Sequence, residues 1–328
     1  MIVVRIDGGL GNQLFQVAYG LQLAQRHGSD LVLDLASYEC RPQHGYMLDR
    51  FNVTARALQP HERRRLPRRY RASDLASKAA LAPDDSADVR PSRRRFDVKT
   101  LLARDGLTRV REKPFGFDDK YLNARDDCYA VGYWQSERFF PDVQTQVRRQ
   151  FRPSVAMSPQ SERLYERMLA TPSISLHIRR GDYVSNPQAA SIYRHLSLDY
   201  YRRCVDQCLA THTDAHVVIF SNDIGWCRQQ LALPCPVHFV EHTTAETAHE
   251  DLWLMTAAQC HVIANSTFSW WGAWLAQRPD QTVYAPRLWF HTDTLDDRSL
   301  ACSGWTLMDE PGGQYRHRDT PFCLEHIA

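Results

Sequence analysis

Two adjacent arginines, Arg179 and Arg180, follow a short apolar run, Ile174–Ile178, and precede Gly181 and Asp182. The run reads as a buried strand, and in an open α/β sheet ligands sit beyond the carboxyl ends of the strands. Paired guanidinium forks at that place suit a multiply charged anion such as a diphosphate, because each fork donates two hydrogen bonds to phosphate oxygens. His177 adds a ring nitrogen at the same strand end, with a satisfied core histidine as the plainer reading. Arg-Arg pairs recur in this chain, so the stretch alone favours a solvated turn. What decides is the company it keeps. Val217–Phe220 is a second strand, ending at Ser221-Asn222-Asp223. Asp223 either caps the helix that follows or, as a carboxylate at a strand end, accepts two N–H groups of a guanine edge or binds a ribose hydroxyl. His261–Ala264 is a third strand, ending at Asn265-Ser266-Thr267-Phe268-Ser269-Trp270-Trp271. There Ser266, Thr267 and the backbone N–H groups of a helix start form either an anion site or an ordinary cap. In a parallel sheet these three loops open into one crevice, and that convergence favours function.

The elements that must hold these loops are legible as a pattern. Ile2–Ile6 is a strand, Asp7-Gly8-Gly9-Leu10-Gly11-Asn12-Gln13 a Gly-rich loop, and the apolar residues Leu14, Phe15, Val17, Ala18, Leu21 and Ala24 recur at helical spacing up to Gly28. Leu31–Leu35 returns as a strand, so this is the strand–loop–helix–strand unit of a parallel sheet. The loop lacks the third glycine of a dinucleotide fingerprint. It reads either as a tight turn or as backbone that approaches a ligand, with the Asn12 and Gln13 amides at hand. Cys128–Gln135 is a strand with an aromatic edge, in which Tyr133 and Trp134 are core residues or a surface for a sugar ring. Phe139–Phe151 reads as a helix, and Pro153 and Pro159 bracket a domain junction. Beyond it come a helix around Gln160–Leu169, the Arg-Arg strand, a helix over Leu198–Leu209 and another over Asp251–Ala258. The fold class is α/β, with one domain over 1–155 and a second over 156–328.

The 328 residues carry 40 Lys and Arg against 38 Asp and Glu, a net charge of +2, so no global field points to nucleic acid. Charge gathers locally in an arginine-rich insertion over about 61–95, read first as a solvated face, next as a patch for an anionic inner-membrane surface, and last as a nucleic-acid site, since few aromatics interleave with it. The start, Met-Ile-Val-Val-Arg-Ile-Asp, has no signal-peptide pattern, and no apolar stretch is long enough to span a bilayer. The nine cysteines show no metal spacing and read as reduced thiols of a cytoplasmic protein.

Four ordered motifs, Gly8–Gln13, His177–Tyr183, Ser221–Asp223 and Asn265–Trp271, resemble those of the α-1,2-fucosyltransferases of glycosyltransferase family 11. The resemblance implies a GT-B fold, two Rossmann-like domains whose parallel sheets face a central cleft. It implies an inverting enzyme that needs no metal or other cofactor, with GDP-β-L-fucose as donor and a galactose-terminated glycan as acceptor. The sequence contains no Asp-x-Asp to carry a metal, so fixed positive charge must meet the leaving diphosphate. The related His-x-Arg motifs give that role to Arg179. Arg180 is a second phosphate contact or a structural partner of Asp182. His177, Asn265, Ser266, Thr267 and Phe268 are expected on the donor, Asp223 on its nucleoside, and Asn12 and Gln13 facing it from the other domain. Trp270 and Trp271 are expected in the core. The base that takes the acceptor's proton is Asp7 or Asp182, the carboxylates of the Gly-rich and the Arg-Arg loops. Two competing readings stand beside this one: the same architecture with another nucleotide-sugar donor or linkage, and a non-catalytic nucleotide- or sugar-binding protein.

Overall fold

A computed structural model describes residues 1–40, 45–66, 107–181, 186–292 and 294–310. Two parallel sheets organise them. The first has the strand order β3-β2-β1-β5-β4, from Ile2–Arg5 (β1), Leu31–Asp34 (β2), Arg56–Ala57 (β3), Thr108–Arg111 (β4) and Cys128–Val131 (β5). The second has the order β11-β10-β9-β6-β7-β8, from Ser173–Ile178 (β6), His216–Ser221 (β7), Val237–Phe239 (β8), Cys260–Val262 (β9), Thr282–Pro286 (β10) and Thr306–Met308 (β11). Every pairing within both sheets is parallel. β9, β6 and β7 are neighbours, so the three polar loops read from the sequence do leave adjacent strands at one edge of the sheet. Two Rossmann-like halves facing a cleft is the GT-B arrangement.

β1 and β6 are buried throughout because each is central and covered on both faces. The helix Leu10–His27 joins β1 to β2. Gly28 ends it at φ 62°, a left-handed cap whose N–H returns to the last turn. Gly20 lets this helix lie against the sheet, for a Cβ there would come within 2.6 Å of Leu31 and 2.8 Å of Val4. A surface helix buries one stripe. This one is buried nearly all round, because its other side receives the helix Thr267–Leu275 from the second half. Phe15 packs on Trp270 and Trp271 at 4.5 and 4.7 Å between ring centroids, and Phe140 stacks on Trp271. The two tryptophans are fully buried, as expected. One apolar core thus spans both halves.

The helix expected over Phe139–Phe151 is shorter than its pattern. Single 3₁₀ turns occupy Glu137–Phe139 and Pro141–Val143, and the α-helix runs only over Gln144–Gln150. Pro141 supplies no N–H and starts a new turn instead of continuing one. The helix Leu198–Thr211 buries Tyr200, Tyr201, Cys204, Val205 and Cys208, the stripe its spacing predicts. Residue 155, where the sequence places the domain boundary, lies between the helices Gln144–Gln150 and Pro159–Ala170. Among the described residues no helix is long and apolar enough to cross a membrane.

Candidate active site

The carboxyl ends of the two sheets open into one cavity of about 1340 Å³. From the second half, the loops after β6, β7 and β9 bring His177, Arg179, Ser221, Asn222, Asn265, Ser266, Thr267 and Phe268 into its wall. From the first half, the loops after β1, β4 and β5 bring Asp7, Gly8, Asn12, Glu112, Tyr133 and Gln135. Of the residues expected to do chemistry, Asp7, Asn12, His177, Arg179, Asn265, Ser266, Thr267 and Phe268 therefore share one space.

The two halves touch where the helices Leu10–His27 and Thr267–Leu275 begin. A Cβ on Gly11 would stand 2.5 Å from the carbonyl carbon of Thr267 and 2.7 Å from the Phe268 nitrogen, so only glycine allows this approach. Trp271 Nε1 donates to the Gly11 carbonyl at 2.9 Å. Asn12 Oδ1 accepts from Thr267 Oγ1 at 3.1 Å and from Gln135 Nε2 at 2.9 Å. Neither helix has an acidic residue in its first turn, and no side chain caps the first of them. Two positive helix ends with unspent N–H groups therefore meet at the cavity wall, which suits an anion.

Arg179 follows directly on β6, and its backbone meets the Tyr201 hydroxyl. His177 is 5% exposed, beside the Phe268 ring at 5.7 Å. Its Nδ1 is buried without a hydrogen-bond partner. Burial first, and then the Arg179 guanidinium, push its imidazole down to about 3, so it stays neutral at working pH. Asp7 sits at the end of β1. One carboxylate oxygen accepts from the Gly8 N–H at 2.9 Å, and its backbone N–H is held by Gln16 Oε1. Tyr38 donates its hydroxyl to the Gly8 carbonyl. Burial, and then the Asp7 carboxylate, raise the Tyr38 phenol well above its ordinary value, so it remains a hydrogen-bond donor.

Three expectations need correcting. Gln13 is fully buried, and its amide is consumed by the loop. It donates to the carbonyls of Gly8 and Gly45 and accepts from the Met47 N–H, so it shapes the turn and leaves the cavity to Asn12. Arg180 and Asp223 face each other instead of the cavity. Arg180 Nε lies 3.4 Å from Asp223 Oδ2, and its guanidinium stacks 4.1 Å over the Trp226 ring. Asp223 also caps the helix Ile224–Gln230 through the Trp226 N–H. The third is Asn265, whose side chain donates to the carbonyls of Arg194 and Trp289 and so holds the loop in place. Of the two readings left open for Trp134, the structure takes the core one, stacked on Tyr19. Asp182 lies outside the described residues, as does the arginine-rich segment beyond residue 66. Arg63, which begins that segment, is no solvated side chain: it pairs with the buried Asp34 at 3.3 Å.

Sequence reasoning missed Asp251, on the helix Ala248–Met255. It lines the cavity beside Thr243, Thr244 and Ala248. Its Oδ1 is buried without a partner. Burial raises the carboxyl to about 7 against the pull of a Thr243 hydrogen bond, and the Glu250 charge adds to the rise. The sequence held one signal, an acid at the mouth of an apolar helix, and that is also what any favourable helix start looks like.

The family model for glycosyl transferase family 11 matches residues 1–308. The chain is a member of glycosyltransferase family 11. It is 30% identical over 317 residues to the alpha-1,2-colitosyltransferase of Escherichia coli, spanning 94% of this chain and 99% of that protein. To galactoside alpha-(1,2)-fucosyltransferase 1 of Oryctolagus cuniculus it is 27% identical over 289 residues, 85% of this chain and 64% of that one. Among solved structures, NodZ alpha-1,6-fucosyltransferase soaked with GDP-fucose superposes with a TM-score of 0.49 at 17% identity, covering 84% of this chain and 92% of that chain. The glycosyltransferase assignment expected from the four motifs therefore holds, and the cavity between the sheets is its candidate active site.

Proposed function

We propose that this family 11 glycosyltransferase moves L-fucose from GDP-β-L-fucose to the 2-hydroxyl of a terminal galactose, with inversion at the fucose anomeric carbon. The observation that carries the reading is Arg179 in the wall of a cavity where two helix N-termini without acidic first-turn residues meet. As the bond from fucose C1 to the β-phosphate oxygen breaks, the electron pair leaves with the diphosphate and negative charge grows there. A guanidinium fork and fixed backbone N–H groups aimed at that charge need no reorganisation. Ser266 and Thr267 contribute at the phosphates, Phe268 and His177 pack against the donor, and Asn12 meets it from the other half. Asp251 replaces Asp223 as the reader of the nucleobase, because its unpartnered oxygen can accept an N–H of a guanine edge. Asp7 takes the acceptor's proton as the hydroxyl oxygen attacks C1. One of its oxygens is already tied to the Gly8 N–H, which orients the other.

No metal is needed in this scheme. The test is incubation of the protein with GDP-fucose and lactose or N-acetyllactosamine in EDTA, with linkage analysis of the product. An α-1,2-fucosylated product is expected. GDP release without product would keep the donor and reject the acceptor. GDP binding with neither product nor release would favour a binding protein. A second reading, the same transfer with colitose as the sugar, is favoured by the colitosyltransferase likeness. Competition between GDP-fucose, GDP-colitose and UDP-sugars separates these donors. A cytoplasmic enzyme held at an anionic inner-membrane face by its arginine-rich segment completes the proposal. Equal flotation with neutral and anionic liposomes would refute that part.

A further inference from the structure

The first half of the cavity contains a turn built at a cost. Trp134 adopts φ 58°, a left-handed conformation that bulky residues rarely occupy. Its indole is fully buried, stacked on Tyr19 at 4.0 Å and edge-on to Phe139 and Tyr121. The turn is held from the other side by a carboxylate. Glu112 Oε2, at the end of β4, accepts from the N–H of Tyr133 at 2.6 Å and from that of Trp134 at 3.0 Å. Burial raises the Glu112 carboxyl, opposed by these backbone hydrogen bonds. Gly132 completes the arrangement: a Cβ there would stand 2.6 Å from Glu112 Cβ and 2.8 Å from the Trp134 ring. A core residue that needed only burial would not require a left-handed backbone, a carboxyl group at its N–H and a glycine two residues before it. What the device leaves in the cavity wall is Tyr133, half-buried. Tyr133 and Asp7 line the same cavity, and both act on the Tyr38 phenol.

We propose that Tyr133, aimed by Glu112 and anchored through Trp134, is the platform on which the acceptor's terminal sugar stacks. The ligand class is a neutral pyranose, whose apolar C–H face lies on the ring while its hydroxyl edge turns to Asp7. Tyr133 touches the acceptor. Glu112 is a positioning residue that acts through two backbone N–H groups. The inference rests on the transferase reading above but concerns the acceptor alone.

The test compares Tyr133→Ala, Tyr133→Phe, Glu112→Ala and Glu112→Gln with the wild type, each checked for folding by thermal melting. Acceptor KM, donor KM and the GDP dissociation constant are measured for each. Tyr133→Ala should raise the acceptor KM by about tenfold, the scale of one aromatic contact, with donor KM and GDP affinity within twofold. Tyr133→Phe should stay near the wild type, because stacking needs the ring and not the hydroxyl. Glu112→Ala should reproduce the acceptor defect, and Glu112→Gln should restore binding, because an amide oxygen accepts the same two N–H groups. An acceptor KM within twofold of the wild type for Tyr133→Ala would overturn the proposal. So would a parallel loss of GDP affinity. If the wild type binds no GDP, the donor reading has failed, and saturation-transfer NMR with lactose still decides the platform. Lactose bound by the wild type and lost in Tyr133→Ala supports it, whereas lactose bound equally by both, or by neither, overturns it.

Discussion

Replacing Gly11 by alanine adds one methyl group at the place where the two halves meet. Helix propensity favours the change: in a helix interior alanine gains about 1 kcal/mol over glycine, and less so near the start. The contact works against it. The new Cβ would stand 2.5, 2.6 and 2.7 Å from the Thr267 carbonyl carbon, the Thr267 hydroxyl and the Phe268 nitrogen. Two of these are backbone atoms of a second helix and cannot rotate away. To reach ordinary contact the two helix starts must separate by nearly an ångström. Overpacking of this kind costs about 1–3 kcal/mol. Weakening the buried bond from Trp271 Nε1 to the Gly11 carbonyl adds about 1 kcal/mol. The net expectation is a destabilisation of about 1–3 kcal/mol. Activity should suffer more than stability, because the same separation moves Asn12 off Thr267 and splits the helix ends proposed to hold the diphosphate. A misplacement of about 1 Å can cost on the order of 10²-fold in rate. Urea unfolding and initial rates of transfer measure the two effects. Wild-type stability with full activity would show that the junction is soft and would refute the reasoning.

Arg179→Lys should fold normally and lose about 10²–10³-fold in kcat, since an ammonium cannot reproduce the fork; a loss under tenfold would remove Arg179 from the leaving group. Arg180→Ala should leave the GDP dissociation constant within about threefold, because that side chain is occupied by Asp223 and Trp226. A collapse of GDP binding would restore its role as a phosphate contact. If Asp251 reads guanine as a carboxylate, GDP affinity should fall as pH drops through about 7, where its proton is taken up in the free protein. In Asp251→Asn that dependence should vanish and affinity should be low throughout. His177 has a folded value of about 3, below its unfolded one, so its contribution to stability is present above about pH 6.5 and lost as pH falls towards 3. His177→Gln should accordingly reduce the pH dependence of stability over that window, with the remainder left to other buried histidines such as His261, which a pH series of melting curves checks.

Central strands and their loops were legible because their physics is local. An apolar run that stops at charge, as at Ile178–Arg179, is a strand end whatever surrounds it. The stripe Tyr200, Tyr201, Cys204, Val205, Cys208 needs only helical geometry. The edge strands β3, β4 and β11 were not legible: two to four residues, exposed or half-buried, carry no period. Side-chain roles failed where a polar group had two partners to choose from. Asp223 looks the same in sequence whether it faces a nucleobase or Arg180, and Gln13 gives no sign that Gly45 and Met47 will use its amide. Asp251 and Glu112 were invisible for the opposite reason. Their importance comes from being buried beside a cavity, and burial of a lone acid leaves no mark in the pattern around it.

The helix Leu10–His27 has no side to spare for solvent, since one face lies on its own sheet and the other on the tryptophans of Thr267–Leu275. Neither half is therefore a module. Expressed alone, the first would expose a long apolar helix face, and the second would expose Trp270, Trp271 and Trp274. Recombining halves from two family members, the obvious way to join one donor preference to another acceptor preference, should give insoluble protein unless this helix and its tryptophan partner come from the same parent.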